Sequence, residues 1–322
     1  MKLEDIGFYT LSDDRAKNVS EKTPLWRCEL ILSDRCNFNC PYCRGIKKEH
    51  QGDMSLDRAK EIVSLWASEG LKNIRLSGGE PTIWRGLLEL VPFIKGKGIN
   101  RIAISTNGYA SLSFYKKLIQ AGVNDFSISL DACCSGTGDH MAGDIPGAWN
   151  KVTNNIRDLS KLVYVTVGVV LTDTNLEELE KTIEFASDDL GVSDIRVISA
   201  AQSNRHLGEI KVRSDILEKH PILKYRVNNF KIGKKVRGIS EQDNHRCPLV
   251  LDDMAVLDGK HFPCIIYLRE QGNPIGDIDS SVRLKRLNWY KNHNTFEDQI
   301  CRKNCLDVCV DYNNKVKELS AK

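Results

Sequence analysis

Three cysteines lie close together near the start of the chain, in the stretch DRCNFNCPYCRG. Cys36, Cys40 and Cys43 have the spacing C-x3-C-x2-C, and Pro41 disfavours a continuous helix between them. One loop can therefore turn three thiolates towards a common metal centre. A zinc site would need a fourth ligand close by, and the loop offers none before His50. Three thiolates without a fourth fit a cubane iron–sulfur cluster with one open iron, and a zinc site that borrows a distant ligand is the alternative.

The overall composition supports metal binding rather than disulfide bonding. The chain has 322 residues, a net charge of +3 and 11 cysteines, an odd number that falls into close groups. Close-set cysteines in a reducing compartment indicate metal sites. The longest apolar run, LVYVTVGVVL, is far shorter than the roughly 20 residues that span a bilayer. We therefore expect a cytoplasmic protein that does not bind membranes.

Short apolar runs alternate with amphipathic segments from Trp26 to about Val197. The predicted strands are residues 28–33, 73–77, 101–105, 125–129, 163–169 and 194–199. The predicted helices are residues 56–68, 86–95, 112–120, 147–159 and 176–187. Six strand–helix units predict a parallel sheet, either curled into an incomplete barrel or open and doubly wound. In both cases ligands gather at the carboxyl ends of the strands, where the cysteine-rich stretch begins.

The alternation stops after about residue 200, and a loop-rich region with five further cysteines follows. These are Cys247, Cys264, Cys301, Cys305 and Cys309. A metal site would stabilise such a region, whose core is small; a structural zinc site is the alternative to an iron–sulfur cluster. If residues 301–309 formed one helix, the outer two of the last three cysteines would lie about 12 Å apart along its axis. One cubane would then bind neighbouring cysteines but not both ends, unless the chain bends.

The first cysteine group and three later motifs together resemble the radical S-adenosylmethionine (radical SAM) enzymes. Tyr42 precedes the last cysteine of the loop, and SGGEP, STNG and SISLD follow or end the second, third and fourth predicted strands in order. The resemblance covers roughly Trp26 to Ser199. It implies a partial (β/α)6 TIM-type barrel with a small C-terminal loop-rich iron–sulfur domain. It also implies a [4Fe-4S] cluster that binds S-adenosylmethionine and cleaves it to a 5′-deoxyadenosyl radical.

The same resemblance implies which residues hold the cofactor. The expected cofactor-binding residues are Tyr42, Gly78, Gly79, Glu80, Ser105, Asn107, Ser129 and Asp131. The two glycines allow close approach of the backbone to a ligand. The glutamate of SGGEP can accept a hydrogen bond from the methionyl ammonium group.

The C-terminal region resembles the start of the auxiliary cluster modules called SPASM or twitch domains. Cys247 and Cys264 read C-x11-G-x4-C through Gly259, in a segment shaped like a hairpin. The full SPASM pattern has seven cysteines, and only five are present here. We therefore expect one auxiliary [4Fe-4S] cluster, held by four of the five, and two clusters in all. The expected domains are an N-terminal extension (1–25), the barrel (26–240) and the auxiliary module (241–322).

Three further groups of residues carry weaker hypotheses. Cys133 and Cys134 follow the fourth predicted strand and could donate a hydrogen atom to a substrate radical, or simply fill a loop. Gln202, Asn204 and Arg205 follow the sixth strand and could face substrate, or form a solvated loop. The basic run KIGKKVRG looks like an exposed loop that could bind an anionic substrate or nucleic acid, or be a solvated surface.

The sequence thus predicts a radical SAM enzyme that abstracts a hydrogen atom from its substrate. The auxiliary cluster would accept an electron from the substrate radical or anchor the substrate. A small molecule, such as a sugar, nucleotide or amino-acid metabolite, is the favoured substrate, since only 35 residues precede Cys36 and cannot form a peptide-binding domain. The alternatives are maturation of a ribosomal peptide with a separate partner, nucleic-acid modification, and a non-catalytic iron–sulfur electron carrier. A flavodoxin or ferredoxin would supply electrons.

Overall fold

The computed structural model describes residues 13–46, 52–201 and 210–320. The strands are β1 (Arg27–Ile31), β2 (Asn73–Ser77), β3 (Arg101–Thr106), β4 (Asp125–Ser129), β5 (Tyr164–Leu171), β6 (Asp194–Ser199), β7 (Asp253–Leu257), β8 (Lys260–Phe262) and β9 (Gly276–Asp277). They form one sheet in the order β6-β5-β4-β3-β2-β1-β7-β8-β9.

Thirteen α-helices surround this sheet in the described part of the chain. They are α1 (Asp13–Asn18), α2 (Leu56–Ser68), α3 (Leu87–Gly96), α4 (Leu112–Ala121), α5 (Ser135–Met141), α6 (Ala148–Ser160), α7 (Leu179–Glu184), α8 (Ser214–Lys219), α9 (Pro221–Lys231), α10 (Ile265–Arg269), α11 (Val282–Asn292), α12 (Gln299–Asn304) and α13 (Asp307–Ser320). Short 3-10 turns cover Pro81–Ile83, Leu176–Glu178 and Pro248–Leu251, and a π-helical turn covers Phe185–Asp189.

The first six strands are parallel and pair in chain order, which confirms the predicted fold class. Each crossover between them returns the chain to the same end of the sheet, so all six carboxyl ends meet at one edge. The cysteine-rich module extends this sheet: β7 lies parallel beside β1, and β8 and β9 follow antiparallel. The barrel and the C-terminal module therefore share one sheet.

Alternate residues of the barrel strands face opposite ways and differ in chemistry. One set, such as Ile74 and Ile195, is mainly apolar and packs in the main hydrophobic core with helix residues such as Ile62 and Trp66. The other set is rich in arginine, serine and glycine, as in NIRLS and DIRVIS. Because a strand alternates with a period of two, the polar set faces the inside of the partial barrel, away from the helices. We call this inside the lumen.

Several predicted boundaries are wrong. β1 ends at Ile31 rather than at residue 33, and the helix predicted over 176–187 is a 3-10 turn, α7 and a π-helical turn in succession. The basic run is an exposed loop only in part, because Val236 and Arg237 are buried where the chain bridges to Leu306.

The described part of the chain contains no helix of the length and apolarity that a membrane span requires.

Candidate active site

The cysteine loop, residues 34–45, leaves the carboxyl end of β1. The Cys43 amide donates to the Cys40 carbonyl at 3.0 Å, which closes a tight turn. Burial raises the pKa of the Cys40 thiol to about 12, and the charges of Asp131, Cys43 and Cys36 add to this rise. The three thiols therefore lie near one another, on a loop at the predicted edge of the sheet.

The donor chemistry of the three cysteines indicates which metal group they fit. Three thiolates on one short loop suit a cubane cluster, in which each binds a different iron and one iron stays open. A tetrahedral zinc would need a fourth ligand. The donor set fits a [4Fe-4S] cluster, and its assignment to Cys36, Cys40 and Cys43 stays a prediction.

Glu80 joins the strand ends beneath the site, and its carboxylate is completely buried. One oxygen accepts from the Thr82 amide (2.9 Å), the Thr82 hydroxyl (2.6 Å) and the Thr106 hydroxyl (2.8 Å). The other accepts from the Asn107 amide at 2.7 Å. Burial raises the pKa of Glu80, and these hydrogen bonds oppose the rise. The carboxylate is thus used to hold the chain at the ends of β2 and β3.

Five of the residues predicted at the cofactor site line one cavity. They are Cys40, Tyr42, Asn107, Ser129 and Asp131. The Tyr42 hydroxyl donates to Asp131 at 2.6 Å, and the Val170 amide donates to the other carboxylate oxygen at 2.8 Å. Burial raises the pKa of Asp131 to about 6, which the two hydrogen bonds oppose. The cavity combines polar groups from three strand ends beside a predicted cluster ligand.

The remaining predicted cofactor residues lie on either side of this cavity. The Gly79 amide donates to the Ser33 carbonyl at 2.8 Å, and a Cβ on Gly79 would lie 2.2 Å from the Arg35 carbonyl oxygen. Only glycine fits there, because the SGGEP segment runs against the start of the cysteine loop. Ser105 lies deeper, in the lumen.

An arginine of the C-terminal module contacts both loops. The Arg269 guanidinium, at the end of α10, donates to the Gly45 carbonyl at 2.9 Å and to the Gly78 carbonyl at 3.2 Å. Arg44 and Glu270 form an ion pair beside it. The helix that begins just after Cys264 therefore fixes the cysteine loop against the SGGEP segment. Sequence reasoning missed this residue, and nothing in the sequence points to it.

Two lumen arginines were also missed. The Arg75 guanidinium reaches the Ser105 hydroxyl at 3.5 Å, and that of Arg196 reaches the Ser127 hydroxyl at 3.5 Å. Among the described residues no carboxylate lies within ion-pair distance of either, and their Nε atoms have no partner. Burial lowers the pKa of Arg196 to about 10, the charge of Arg75 lowers it further, and the charge of Glu29 on β1 opposes the shift. An arginine flanked by apolar residues within a strand, as in NIRLS and DIRVIS, was the available signal.

The five C-terminal cysteines approach one another from separate elements. Cys264 caps α10, Cys301 lies in α12, Cys305 ends it and Cys309 lies in α13. Burial raises the pKa of Cys264, and the charges of Cys309 and Cys247 raise it further. The chain bends at Cys305 (φ −56°, ψ 130°). The single-helix premise is therefore wrong, and with it the argument that separated Cys301 from Cys309; which four bind a cluster stays open.

A histidine and an aspartate that the sequence did not single out lie beside one of these cysteines. Ligand atoms of His293, Asp298 and Cys301 lie within 4.8 Å of one another. His293 stacks on Trp289 with ring centroids 4.0 Å apart, and the Tyr267 hydroxyl donates to Asp298 at 2.8 Å. Polar and aromatic groups thus surround this side of the module.

Cys133 and Cys134 do not line the cavity beside Cys40. They lie against Glu178, with the Cys134 sulfur 3.4 Å from both carboxylate oxygens and the Cys133 sulfur 3.9 Å from one. The Thr137 hydroxyl donates to the same carboxylate at 2.8 Å. Their role as hydrogen-atom donors stays a prediction. Gln202, Asn204 and Arg205, the predicted substrate residues, lie outside the described residues.

Comparisons with known proteins agree with this arrangement. The family model of the radical SAM superfamily matches residues 30–186. The chain is 28% identical over 217 residues to a probable GTP 3′,8-cyclase of Metallosphaera sedula, covering 61% of this chain and 68% of that protein. It is 28% identical over 262 residues to a GTP 3′,8-cyclase of Alkaliphilus metalliredigens, covering 73% and 79%. The crystal structure of Streptococcus suis SuiB bound to precursor peptide SuiA superposes with a TM-score of 0.60 at 14% identity, over 93% of this chain and 79% of that one.

Proposed function

We propose that this chain, which belongs to the radical S-adenosylmethionine superfamily and is a radical enzyme, acts on a small anionic molecule held in the lumen of its barrel. Cys36, Cys40 and Cys43 would hold the [4Fe-4S] cluster, and the cavity beside Cys40 would hold S-adenosylmethionine. When bound, these groups supply the 5′-deoxyadenosyl radical that removes a hydrogen atom from the substrate. The protein must then place one C–H bond beside the cavity.

The observation that supports an anionic substrate is the pair of lumen arginines, Arg75 and Arg196. Arg75 is 8% exposed, and Arg196 lies close enough for the two charges to repel. Arg75 is buried and Arg196 half-buried, and the buried Glu29 beside Arg75 offsets part of their charge without lying within ion-pair distance of either. Two guanidinium groups that share so little counter-charge are costly to bury, because a buried charge needs a counter-charge and hydrogen bonds. Arginine forks bind carboxylate and phosphate groups through paired hydrogen bonds. An anionic substrate group between them would satisfy both.

The register places this pair one layer below the cofactor cavity. Ser127 contacts Arg196, and Ser129, two residues farther along β4, lines the cavity. Ser105 contacts Arg75, and Asn107, two residues later, lines the same cavity. Two residues of a strand span about 7 Å. If the anionic group of a substrate lay between the arginines, atoms of the same molecule about 7 Å from that group would reach the cavity beside Cys40. A small molecule is long enough to span this distance.

The named relatives favour a phosphorylated substrate. Both of the relatives described above are named for GTP, which carries phosphate groups. A nucleotide is therefore the first small molecule to test, and the reaction performed on it is left open.

We further propose that the C-terminal cysteines hold an auxiliary cluster. Iron and sulfide counted after anaerobic reconstitution should give about eight of each per chain, as two cubanes require. The triple variant Cys36→Ala, Cys40→Ala, Cys43→Ala should retain about four. Zinc in the triple variant in place of iron would instead make the module a structural zinc site.

The substrate proposal is tested by binding and by turnover. Reconstituted enzyme, S-adenosylmethionine and dithionite are incubated with GTP, ATP, a sugar phosphate, or the matching nucleosides and sugar. A phosphorylated compound should raise 5′-deoxyadenosine release above the level without substrate, and its uncharged counterpart should not. Arg75→Met or Arg196→Met should weaken its binding about tenfold or more, because each removes a charge-assisted hydrogen bond.

The control is Lys117→Met, which removes one positive charge from the exposed face of α4. It should leave affinity unchanged. Equal stimulation by a nucleoside and its triphosphate, or unchanged affinity in both arginine variants, would refute the proposal.

A further inference from the structure

Two adjacent cysteines and a glutamate form a cluster apart from the site described above. Cys133 and Cys134 lie between β4 and α5, and Glu178 ends the 3-10 turn that precedes α7. Ligand atoms of the three residues lie within 4.8 Å of one another, and none of the three lines the cavity beside Cys40. Cys134 is exposed and the other two are half-buried, so a metal ion in solvent can reach them.

The distances within the cluster match those around a single tetrahedral metal ion. The Oε2 atom of Glu178 lies 3.4 Å from the Cys134 sulfur and 3.9 Å from the Cys133 sulfur. Around a tetrahedral zinc with Zn–S bonds of about 2.3 Å and Zn–O bonds of about 2.1 Å, a sulfur and an oxygen ligand lie about 3.6 Å apart. The two sulfurs and Oε2 are therefore close to the positions that one zinc ion requires.

The second oxygen of the carboxylate is held by a neighbouring hydroxyl. The Thr137 hydroxyl, in the first turn of α5, donates to Oε1 of Glu178 at 2.8 Å. This hydrogen bond orients the carboxylate so that Oε2 faces both sulfurs. Hydrogen bonds to the outer atoms of a ligand are a regular feature of metal sites, because they fix the ligand in its binding orientation.

The two segments that carry the ligands are also fixed in place. Asn175, three residues before Glu178, is only 1% exposed, and its side-chain amide donates to the Asp131 carbonyl at 2.8 Å. The Trp149 indole donates to the Ala132 carbonyl, directly before the two cysteines, at 2.9 Å. The backbone on both sides of the cluster is therefore positioned before any metal binds, and only three side chains need to adjust.

The cluster concentrates acidic groups without a cation. In the part of the chain that the structure describes, no lysine or arginine lies within ion-pair distance of Glu178. Burial raises the pKa of Cys133, and the charges of Cys134 and Glu178 raise it further. A thiol is a weak donor with a single hydrogen, so the protonated cysteines satisfy the carboxylate poorly. A bound metal ion would supply the positive charge that all three groups lack.

We infer that Cys133, Cys134 and Glu178 form a zinc site with three protein ligands and a water molecule in the fourth position. Two thiolates favour zinc over magnesium and calcium, which prefer oxygen ligands. Both thiols release their protons to solvent when the metal binds, so binding strengthens as the pH rises. The inference goes beyond the proposed function, since it uses neither the lumen nor the cavity beside Cys40. It excludes the hydrogen-donor role of the two cysteines, because a zinc-bound thiolate has no S–H hydrogen.

The test uses Zn²⁺ as the probe and the reconstituted full chain under anaerobic conditions. After dialysis against buffered zinc, metal analysis should give about one zinc per chain in addition to the cluster iron. X-ray absorption at the zinc edge should show two sulfur ligands at about 2.3 Å, with oxygen in the remaining positions. Zinc should also protect Cys133 and Cys134 from alkylation by iodoacetamide, as read by mass spectrometry of the peptide that contains them.

Substitutions separate this site from the other cysteines. Cys133→Ser with Cys134→Ser should lose the zinc and keep the full iron content, which shows that the chain still folds. Glu178→Gln should weaken zinc binding about tenfold or more. Thr137→Val should also weaken it, whereas Thr137→Ser, which keeps the hydroxyl, should not. The matched control Glu177→Gln removes a charge from an exposed neighbour and should leave the zinc affinity unchanged.

The inference fails if the double cysteine variant binds zinc as the native protein does, which would place the metal among the other cysteines. It also fails if the bound zinc has no sulfur ligand, or if zinc leaves the alkylation of the cysteine pair unchanged. A disulfide between Cys133 and Cys134 that persists in the presence of zinc would overturn it as well. None of these results bears on the lumen arginines, which are tested separately.

Discussion

The most informative single substitution is Glu80→Gln. The carboxylate is completely buried, and donors from Thr82, Thr106 and Asn107 account for both of its oxygens. Glutamine has nearly the same size but presents an NH₂ group in place of one oxygen. The less disruptive orientation turns this group towards the single Asn107 amide, so two donors face each other. The three donors on the other oxygen keep a neutral acceptor instead of a charged one.

The expected cost follows from these contacts. Loss of one hydrogen bond to a charged group removes about 1.5–3 kcal/mol, and the weaker acceptor adds to this. We therefore expect a loss of about 3 kcal/mol in the free energy of unfolding. Thr82→Val is the matched control: it removes one hydroxyl donor but leaves the charge and the other partners, and it should cost about 1 kcal/mol.

The assay is urea unfolding of the anaerobic protein, together with iron content and the dissociation constant for S-adenosylmethionine. The structure predicts that Glu80→Gln shifts the unfolding midpoint more than Thr82→Val does. A variant that unfolds like the native protein, yet binds S-adenosylmethionine tenfold more weakly, would refute this reasoning. Glu80 would then act as a direct cofactor ligand, as the sequence alone suggests.

Three further substitutions test other contacts. Gly79→Ala should lower the iron content of the cysteine loop, because the new Cβ would lie 2.2 Å from a backbone oxygen, whereas Gly96→Ala has open space and should keep full iron. Arg269→Ala removes the donor to both loop carbonyls and should weaken S-adenosylmethionine binding about tenfold with the auxiliary iron retained, as measured by titration and iron analysis. His261 has its pKa lowered to about 3, by burial and then by Arg286. Since the unfolded chain takes up the proton at about 6.5 and the folded chain does not, the contribution of His261 to stability should fall by about 1.4 kcal/mol between about pH 7.5 and about pH 5.5. His261→Asn keeps an acceptor for Arg286 and should remove that loss in urea unfolding; an unchanged pH dependence would contradict the assignment.

The sequence predicted the barrel because its strands are strongly periodic. The apolar residues of each strand, such as Ile74 and Ile195, indicate which side of the strand faces the helices. The parallel pairing of the strands follows from their alternation with helices. The end of each strand then locates the motifs. Tyr42, Asn107 and Asp131 follow three of these strands, and they line one cavity.

Contacts between distant segments could not be predicted in the same way. Arg269 reaches the cysteine loop across 224 positions of the chain, and its place depends on how β7 pairs with β1. The bend at Cys305 depends on the Arg237 segment that pairs beside it, and local periodicity carries no trace of that pairing. The partners of Glu80 could not be predicted for a related reason: a carboxylate next to two glycines suggests a ligand, which stays a prediction, but nothing local shows that Thr82, Thr106 and Asn107 donate to it.

The central claim is that the three cysteines of the loop make this chain a radical SAM enzyme. The direct measurement is 5′-deoxyadenosine release from S-adenosylmethionine under dithionite, in the reconstituted native protein and in the Cys36→Ala, Cys40→Ala, Cys43→Ala variant. The account predicts release by the native protein and none by the variant, although the variant keeps its auxiliary iron. Release by the triple variant, or no release by a native protein that carries its full iron, would contradict it.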